Sequence, residues 1–527
     1  MSYQRAQRSQ LSNKEPLFSG WYVDNATNVD MQPYFSPYLR NCRLDWSSIE
    51  IRPWHILFAE LTDWSYPKWV EWYLRTAGSF LVVRHNQDTN KKLVKIEEDG
   101  TITDIETSTN ISSDNKMRFI NSWDVLYCMN GSDNYGKLSN VTYSTPSVWI
   151  SNFAPAFGVV FNSSMFVAGW STNPSIVYKS VWDNFEDFNS AWSDKFTFVE
   201  EITGLAATTQ WLFYFTKNTI SATGMSDIQD TAGTLSYITR VMNAKEWAVN
   251  HDSIVSAGIE VFYLTPNNNI NKLMRWVNNN WFEQKEISQR SNSGISKFMQ
   301  KTLDKDQSQS FGYFLPKENI IKRHVKSQWA VFNDYVIVYN ILDDAFFIDT
   351  NKYFFDWCVF NSRYYTLSMI EPKVYIDEEW ATDENAPIPR EYRTKEFFEW
   401  EPTFNKVLRE SRTLMDINEL AECTQEIWID WALADTKTVD KNNMKSLLSW
   451  GIGTYPVGEE PIGEEWSWWW EGVEEEIILM RTKGNLNKKF RKLQRRRKNT
   501  TVAGKVRLKS LTPKIAWLPA EDTHLTK

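Results

Sequence analysis

The chain has 527 residues, 42% of them hydrophobic and 24% charged, with a formal net charge of −8 and a pI of about 5.5. It is too long for one ordinary core and too rich in apolar residues for global disorder, so two to four structural units are expected. The acidic balance gives no overall pull toward DNA or acidic lipid, and no apolar run approaches the ~20 residues of a membrane helix.

The start, MSYQRAQRSQLSNKEP, is polar and lacks the apolar stretch of a signal peptide, which predicts a protein made in a cytoplasm. Residues 1–69 read as an N-terminal arm with extended segments such as CRLDWSSIEIRP, packed on the downstream domain or on a neighbour. From about residue 70 helical periodicity is nearly absent. Short apolar and aromatic runs alternate with Asn/Asp/Gly/Ser turns, the pattern of an all-β protein. Hairpins start near Phe80, Asp124, Ser164, Leu212, Ile259, Phe311, Tyr335 and Tyr364. The early starts are roughly 40–50 residues apart, the period of a propeller blade. The later ones are closer and are read as successive hairpins within blades. A four-stranded blade cannot bury both faces alone, so residues 70–390 are predicted to close into a β-propeller of five to seven blades.

Beyond the ring the pattern changes. Residues 391–450 alternate as the first part of a C-terminal β domain, 451–476 read as a Gly/Glu-rich linker, and 477–527 resume strands. The two parts are expected to pair as one β-sandwich. Its notable feature is a basic tract containing Lys488, Lys489, Arg491, Lys492, Arg495, Arg496, Arg497 and Lys498. On a strand these charges occupy both faces, which predicts an exposed edge that deters wrong pairing or meets an acidic partner or DNA.

Chemistry-bearing patterns are sparse. Cys42, Cys128, Cys358 and Cys423 stand singly and read as buried thiols, with neither a zinc site nor a disulfide framework. The five histidines never fall at metal-ligand spacing, and no nucleophile triad or phosphate loop is legible. In YKSVWDNFEDF, Ser180 and Asp183 are placed in a hairpin turn where they satisfy backbone groups. Similar turns occur in sialidase-type propellers, but the arginine cluster and activated tyrosine of such an enzyme cannot be identified from spacing. The acidic runs at 377–379 and 186–188 read as solvated turns. No catalytic, cofactor or metal site is assigned.

Glycine and tryptophan usage is anomalous. Glycine numbers 20, against about 37 at average usage, while tryptophan numbers 27. Trp276 and Trp281 bracket an Asn-rich tip, Trp170 follows Gly169 in a turn, Trp54 follows Pro53, and Trp466, Trp468, Trp469 and Trp470 lie among carboxylates. Each tryptophan brings roughly 150–250 Å² to bury, and such segments offer nowhere to put it. The pattern suggests a recoded UGA codon, read as glycine in the organism and as tryptophan in this translation. Such tryptophans should then occupy turns, exposed or at positive φ.

Segments such as FNSSMFVAGWSTNPSIVYKSVWDNFEDF (161–188), DYVIVYNILDDAFFIDTN (334–351) and CVFNSRYYTLSMIEPKVYIDEEW, followed by PIPREYRTKEFFEWEPTFNKV, resemble tailed-bacteriophage virion proteins with propeller domains. The closing RTKGNLNKKFRKLQ…VRLKSLTPKI is similar to their C-terminal sandwich. The likeness spans most of residues 35–515 as patterns, and is strongest to head–tail plug and nozzle proteins. It implies a non-enzymatic virion component of the tail or head–tail junction, in several copies around the tail axis. Its partners would be other tail or connector proteins and possibly packaged DNA, without membrane insertion. The alternative it leaves is a receptor-binding or glycan-cleaving tail component, for which surface aromatics would serve as sugar platforms.

Overall fold

The computed structural model describes most of residues 38–379, with short gaps at loops, and strands at 390–393, 406–417, 423–429, 432–439, 445–446, 477–482, 489–490, 493–499 and 506–517. Seven four-stranded antiparallel units follow one another along the chain. Blade one runs Pro67–Tyr73, Phe80–Gln87, Asn90–Ile96 and Ile102–Asp104. Blade two runs Arg118–Ser122, Val125–Met129, Gly136–Ser139 and Thr142–Ser144, with Glu106–Thr107 added in parallel. Blade three runs Phe157–Phe161, Ser164–Ala168, Ile176–Lys179 and Asp194–Thr197. Blade four runs Ile202–Ala207, Trp211–Thr216, Thr219–Thr231 and Thr234–Asn243. Blade five runs Ile254–Ala257, Glu260–Leu264, Ile270–Arg275 and Phe282–Glu286. Blade six runs Phe311–Leu315, Ile320–Lys326, Asn333–Asn340 and Ala345–Thr350. Blade seven takes three strands in order, Phe354–Phe360, Arg363–Ser368 and Lys373–Glu379, and its fourth from the N-terminal side, Trp54–Glu60.

The first strand of each blade contacts the first strand of the next, and that of blade seven contacts that of blade one. The chain is therefore a closed seven-bladed β-propeller. The clasp is the antiparallel register Lys373↔Glu60 to Glu379↔Trp54. The borrowed strand completes blade seven and ties the two ends of the ring together through backbone hydrogen bonds. The sequence boundaries shift accordingly: the ring begins within the segment read as an arm, and its strands end at Glu379. The hairpins near Phe311 and Tyr335 form one blade.

The core lies in the seams between blades. Because neighbouring blades cover both faces, second strands such as Ser164–Ala168 and Trp211–Thr216 are mostly apolar and buried at every position. Turns at φ > 0 are supplied mainly by asparagine and aspartate. Asn162 and Ser163 (φ 48° and 55°) make the two-residue turn that returns Phe161 onto Ser164.

The segment before the ring also docks. Buried Asn41, in the left-handed region at φ 53°, donates its backbone amide to the Ile348 carbonyl at 2.8 Å, and Cys42 joins the core shared by blades five, six and seven. Tyr38–Arg40 pairs with Ala345–Thr350 and with Arg390–Arg393, and the sheet continues through Leu493–Asn499 and Cys423–Ile429 to Ala432–Val439. Blade six thereby extends into a nine-stranded sheet. A second sheet orders Cys42–Asp45, Ser48–Ile51, Val506–Trp517, Lys406–Ile417, Ile477–Thr482 and Lys445–Ser446.

Candidate functional site

A cavity of about 390 Å³ opens in the middle of the ring, where the first strands of the blades converge. It is lined by Glu71 and Trp72 of blade one, Lys116 and Arg118 of blade two, His251 and Asp252 ahead of blade five, and Asp356 and Trp357 of blade seven. Inner strands are where a propeller brings residues distant in sequence together, and this cluster spans blades on opposite sides of the axis.

The charges are organised as a bridge. Arg118 donates through Nε and Nη2 to the two Asp252 oxygens at 2.8 and 2.7 Å, a two-point pairing across 134 residues of sequence. Its Nη1 donates to the Ala156 carbonyl at 3.0 Å. Lys116 lies 3.3 Å from Asp252 and 3.2 Å from Asp356, so one ammonium links two carboxylates. Burial would raise the Asp252 carboxyl, but Arg118 and Lys116 outweigh it and hold it well below the usual carboxylate range. Asp356 goes the other way: burial raises it and Lys116 offsets only part. Glu71, half-buried at the wall, is pushed up to about 8, chiefly by burial and further by Asp356, against the opposing hydrogen bond from the Trp72 amide. His251 is lowered to about 3 by burial; its Nδ1 accepts the Leu205 amide, and its ring stacks on Phe157 at 4.6 Å. Near neutral pH Glu71 and His251 are therefore uncharged, while Asp252 is a carboxylate held by Arg118 and Lys116. What this arrangement does is tie blades two, five and seven together across the axis.

Ser180 and Asp183 lie in the connection between the last two strands of blade three. The Ser180 hydroxyl accepts the Met165 amide at 2.9 Å and donates to the Val181 carbonyl at 2.9 Å, while Asp183 (φ 53°) donates its amide to the Ser163 carbonyl at 2.8 Å. The turn is thus clipped to the neighbouring hairpin. The acidic run after it is not a solvated turn: Phe188 is buried, and Glu186 pairs with Lys137 of blade two at 2.7 Å. The run at 377–379 is corrected more strongly. Asp377 is buried inside a strand and meets Lys322 and Lys352, because blade six covers that face.

Lys488, Arg491 and Lys492 of the basic tract lie outside the described residues. Lys489 sits in Lys489–Phe490, paired with Lys406–Ile417. Arg495, Arg496, Arg497 and Lys498 lie in Leu493–Asn499, which is paired on both sides rather than at an edge, with Arg496 opposite Glu426 and Lys498 opposite Glu391. Cys42, Cys128 and Cys358 are buried. Among the described residues no group of three or more His, Cys, Asp or Glu could hold a metal ion, and no helix is long and apolar enough to cross a membrane.

The tryptophans divide. Trp69 and Trp211 are buried in strands, Trp69 under the Arg84 guanidinium at 4.5 Å. Trp182 and Trp329 sit in turns at 68% and 94% exposure. Trp170 is buried in the loop after Gly169, and no described tryptophan has positive φ. Trp276, Trp281, Trp466, Trp468, Trp469 and Trp470 lie outside the described residues.

No protein-family profile matches the sequence. No curated protein matches it either. Among solved structures the chain is similar to a streptogramin B lyase, with 13% identity over 62% of this chain and 97% of that one and a TM-score of 0.40. It is also similar to the β-propeller domain of Cps50 (Swd1) from Myceliophteria thermophila, with 6% identity over 62% and 99% of the two chains and a TM-score of 0.40. A third likeness is to YCF48 from Cyanidioschyzon merolae, with 9% identity over 62% and 98% and a TM-score of 0.37. The propeller assignment rests on the strand pairing above, and these likenesses add no functional argument.

Proposed function

We propose that the protein is a non-enzymatic structural component of a tailed-phage particle, a ring-forming tail, nozzle or head–tail connector protein. The observation that supports this most is the continuation of blade six into the flanking strands. A propeller joined to its neighbouring β unit through a shared sheet transmits force as one body, where a flexible linker would not. In this reading the C-terminal strands form a sandwich-like docking unit.

The ion bridge across the axis bears on how such a protein would surround DNA. With Arg118, Asp252, Lys116 and Asp356 spanning the middle, the propeller's own hole is a braced core. A conduit is therefore built between several copies of the chain, with blades and docking units forming its wall. In this reading the basic strand, with Glu426 on one side of Arg496 and Arg393 on the other, meets a protein neighbour or packaged DNA.

The exposed Trp182 and Trp329 are the observation that would favour a glycan-binding tail component, with the two rings as sugar platforms. The recoded-codon reading removes that support, since both positions suit glycine in a turn, and we adopt it. Peptide sequencing of purified particles tests the proposal. Recovery of this chain in multiple copies with tail and connector proteins supports it, and its absence from intact particles sinks it.

A further inference from the structure

We propose that Asp377 and Lys322 react with each other to form an intramolecular isopeptide bond that welds blade six to blade seven. The Lys322 Nζ lies 2.5 Å from Asp377 Oδ2, both side chains have no solvent exposure, and Lys352 contacts the other carboxylate oxygen, Oδ1. The Tyr313 hydroxyl donates to Oδ2 at 3.1 Å. Tyr313 and Lys322 are direct cross-strand partners in blade six, so strand geometry fixes both on the same oxygen. Lys352 follows the last strand of that blade and is placed by a connection, which makes Lys322 the nucleophile.

The surroundings favour the reaction. The Tyr313 ring stacks on Trp357 at 4.6 Å, and buried His324 stacks on Phe311 at 4.4 Å, so the cluster is walled by aromatic rings. Two ammonium groups on one carboxylate repel, which favours loss of a proton from one of them. Burying an ion pair costs desolvation that a neutral amide does not. Water exclusion also opposes the reverse hydrolysis.

The atoms balance without an outside reagent. The Lys322 ammonium passes one proton to the Asp377 carboxylate it touches, and the neutral nitrogen adds to the carboxyl carbon. Oδ1 leaves as water, carrying that proton and one more from the Lys322 nitrogen, while the Lys352 ammonium polarises it. Oδ2 remains as the amide oxygen, held by Tyr313, and Lys352 ends as it began, an ammonium. The product is a covalent bridge between residues 322 and 377 beside the clasp that closes the ring.

Peptide mapping of the full-length folded protein tests this. The expected result is a branched peptide joining the segment with Lys322 to the segment with Asp377, one water lighter than their sum, with no tryptic cut after Lys322. K322R keeps the positive charge and should return both segments as separate peptides. Recovery of the two segments unlinked from the folded wild-type protein, or a branch at Lys352 in place of Lys322, would overturn the proposal.

Discussion

Asn41 and Thr350 hold each other reciprocally. The Asn41 Oδ1 accepts the Thr350 amide at 2.8 Å and its Nδ2 donates to the Thr350 hydroxyl at 3.1 Å, in a fully buried site. This pair, 309 residues apart in sequence, fastens the segment before the ring to the outer strand of blade six. Asn41→Ala removes both buried side-chain hydrogen bonds and places at φ 53° a residue that tolerates the left-handed region less well than asparagine. The expected loss is about 1–3 kcal/mol, read as a lower denaturation midpoint. Asn41→Gly relieves the backbone but not the hydrogen bonds, so it should recover only part of the loss.

The bridge across the axis makes a second prediction. Removing one partner of this half-buried, two-point pair leaves the other short of its hydrogen bonds, so Arg118→Met and Asp252→Asn should each cost about 1–3 kcal/mol. Their effects should be strongly non-additive, because the second substitution removes the partner the first had left short. Chemical denaturation of both singles and the double gives the coupling directly, and additive effects would show that the bridge bears no load.

The propeller was legible from hairpin spacing, because each blade is local in sequence. Its clasp was not: Trp54–Glu60 pairs with Lys373–Glu379 across the whole ring, and no local pattern in WHILFAE distinguishes an outer blade strand from an arm. The axial cluster was also invisible, since Lys116, Asp252 and Asp356 come from three blades and only ring closure brings them together. Asp377 misled for a related reason. A DEE run reads as solvated until blade six supplies the lysines that meet Asp377. Ser180 was readable because its turn is satisfied within a few residues of sequence and one adjoining hairpin.

The pH response of Glu71 has a definite sign. Its folded pKa is about 8, above the ~4.3 of an unfolded glutamate. Between those values the folded state binds more protons than the unfolded one, so stability falls as pH rises and levels off above about 8. Asp252 acts oppositely, its contribution disappearing as pH drops below the usual carboxylate range. Glu71→Gln should therefore flatten the decline toward alkaline pH and leave the acid limb intact. A midpoint series from about pH 5 to about pH 9 checks this, and an unchanged alkaline slope would contradict it.

The two classes of tryptophan should separate by experiment. Trp182→Gly and Trp329→Gly remove rings that stand in solvent, so stability should change by no more than about 0.5 kcal/mol. Trp69→Gly removes a buried ring packed under Arg84 and should cost at least about 3–5 kcal/mol. Peptides from the native source covering positions 182 and 329 should carry glycine. Tryptophan there, or UGG codons in the gene, would end the recoding reading and restore the sugar-platform alternative.

A braced seven-bladed ring would serve a virus mechanically, with several copies together enclosing the DNA path. Reconstruction of the intact particle by electron microscopy measures this in one step. Closed seven-bladed rings should repeat around the tail axis, with the DNA path running between copies. Particles lacking this density, or DNA threading the hole of a single propeller, would contradict it.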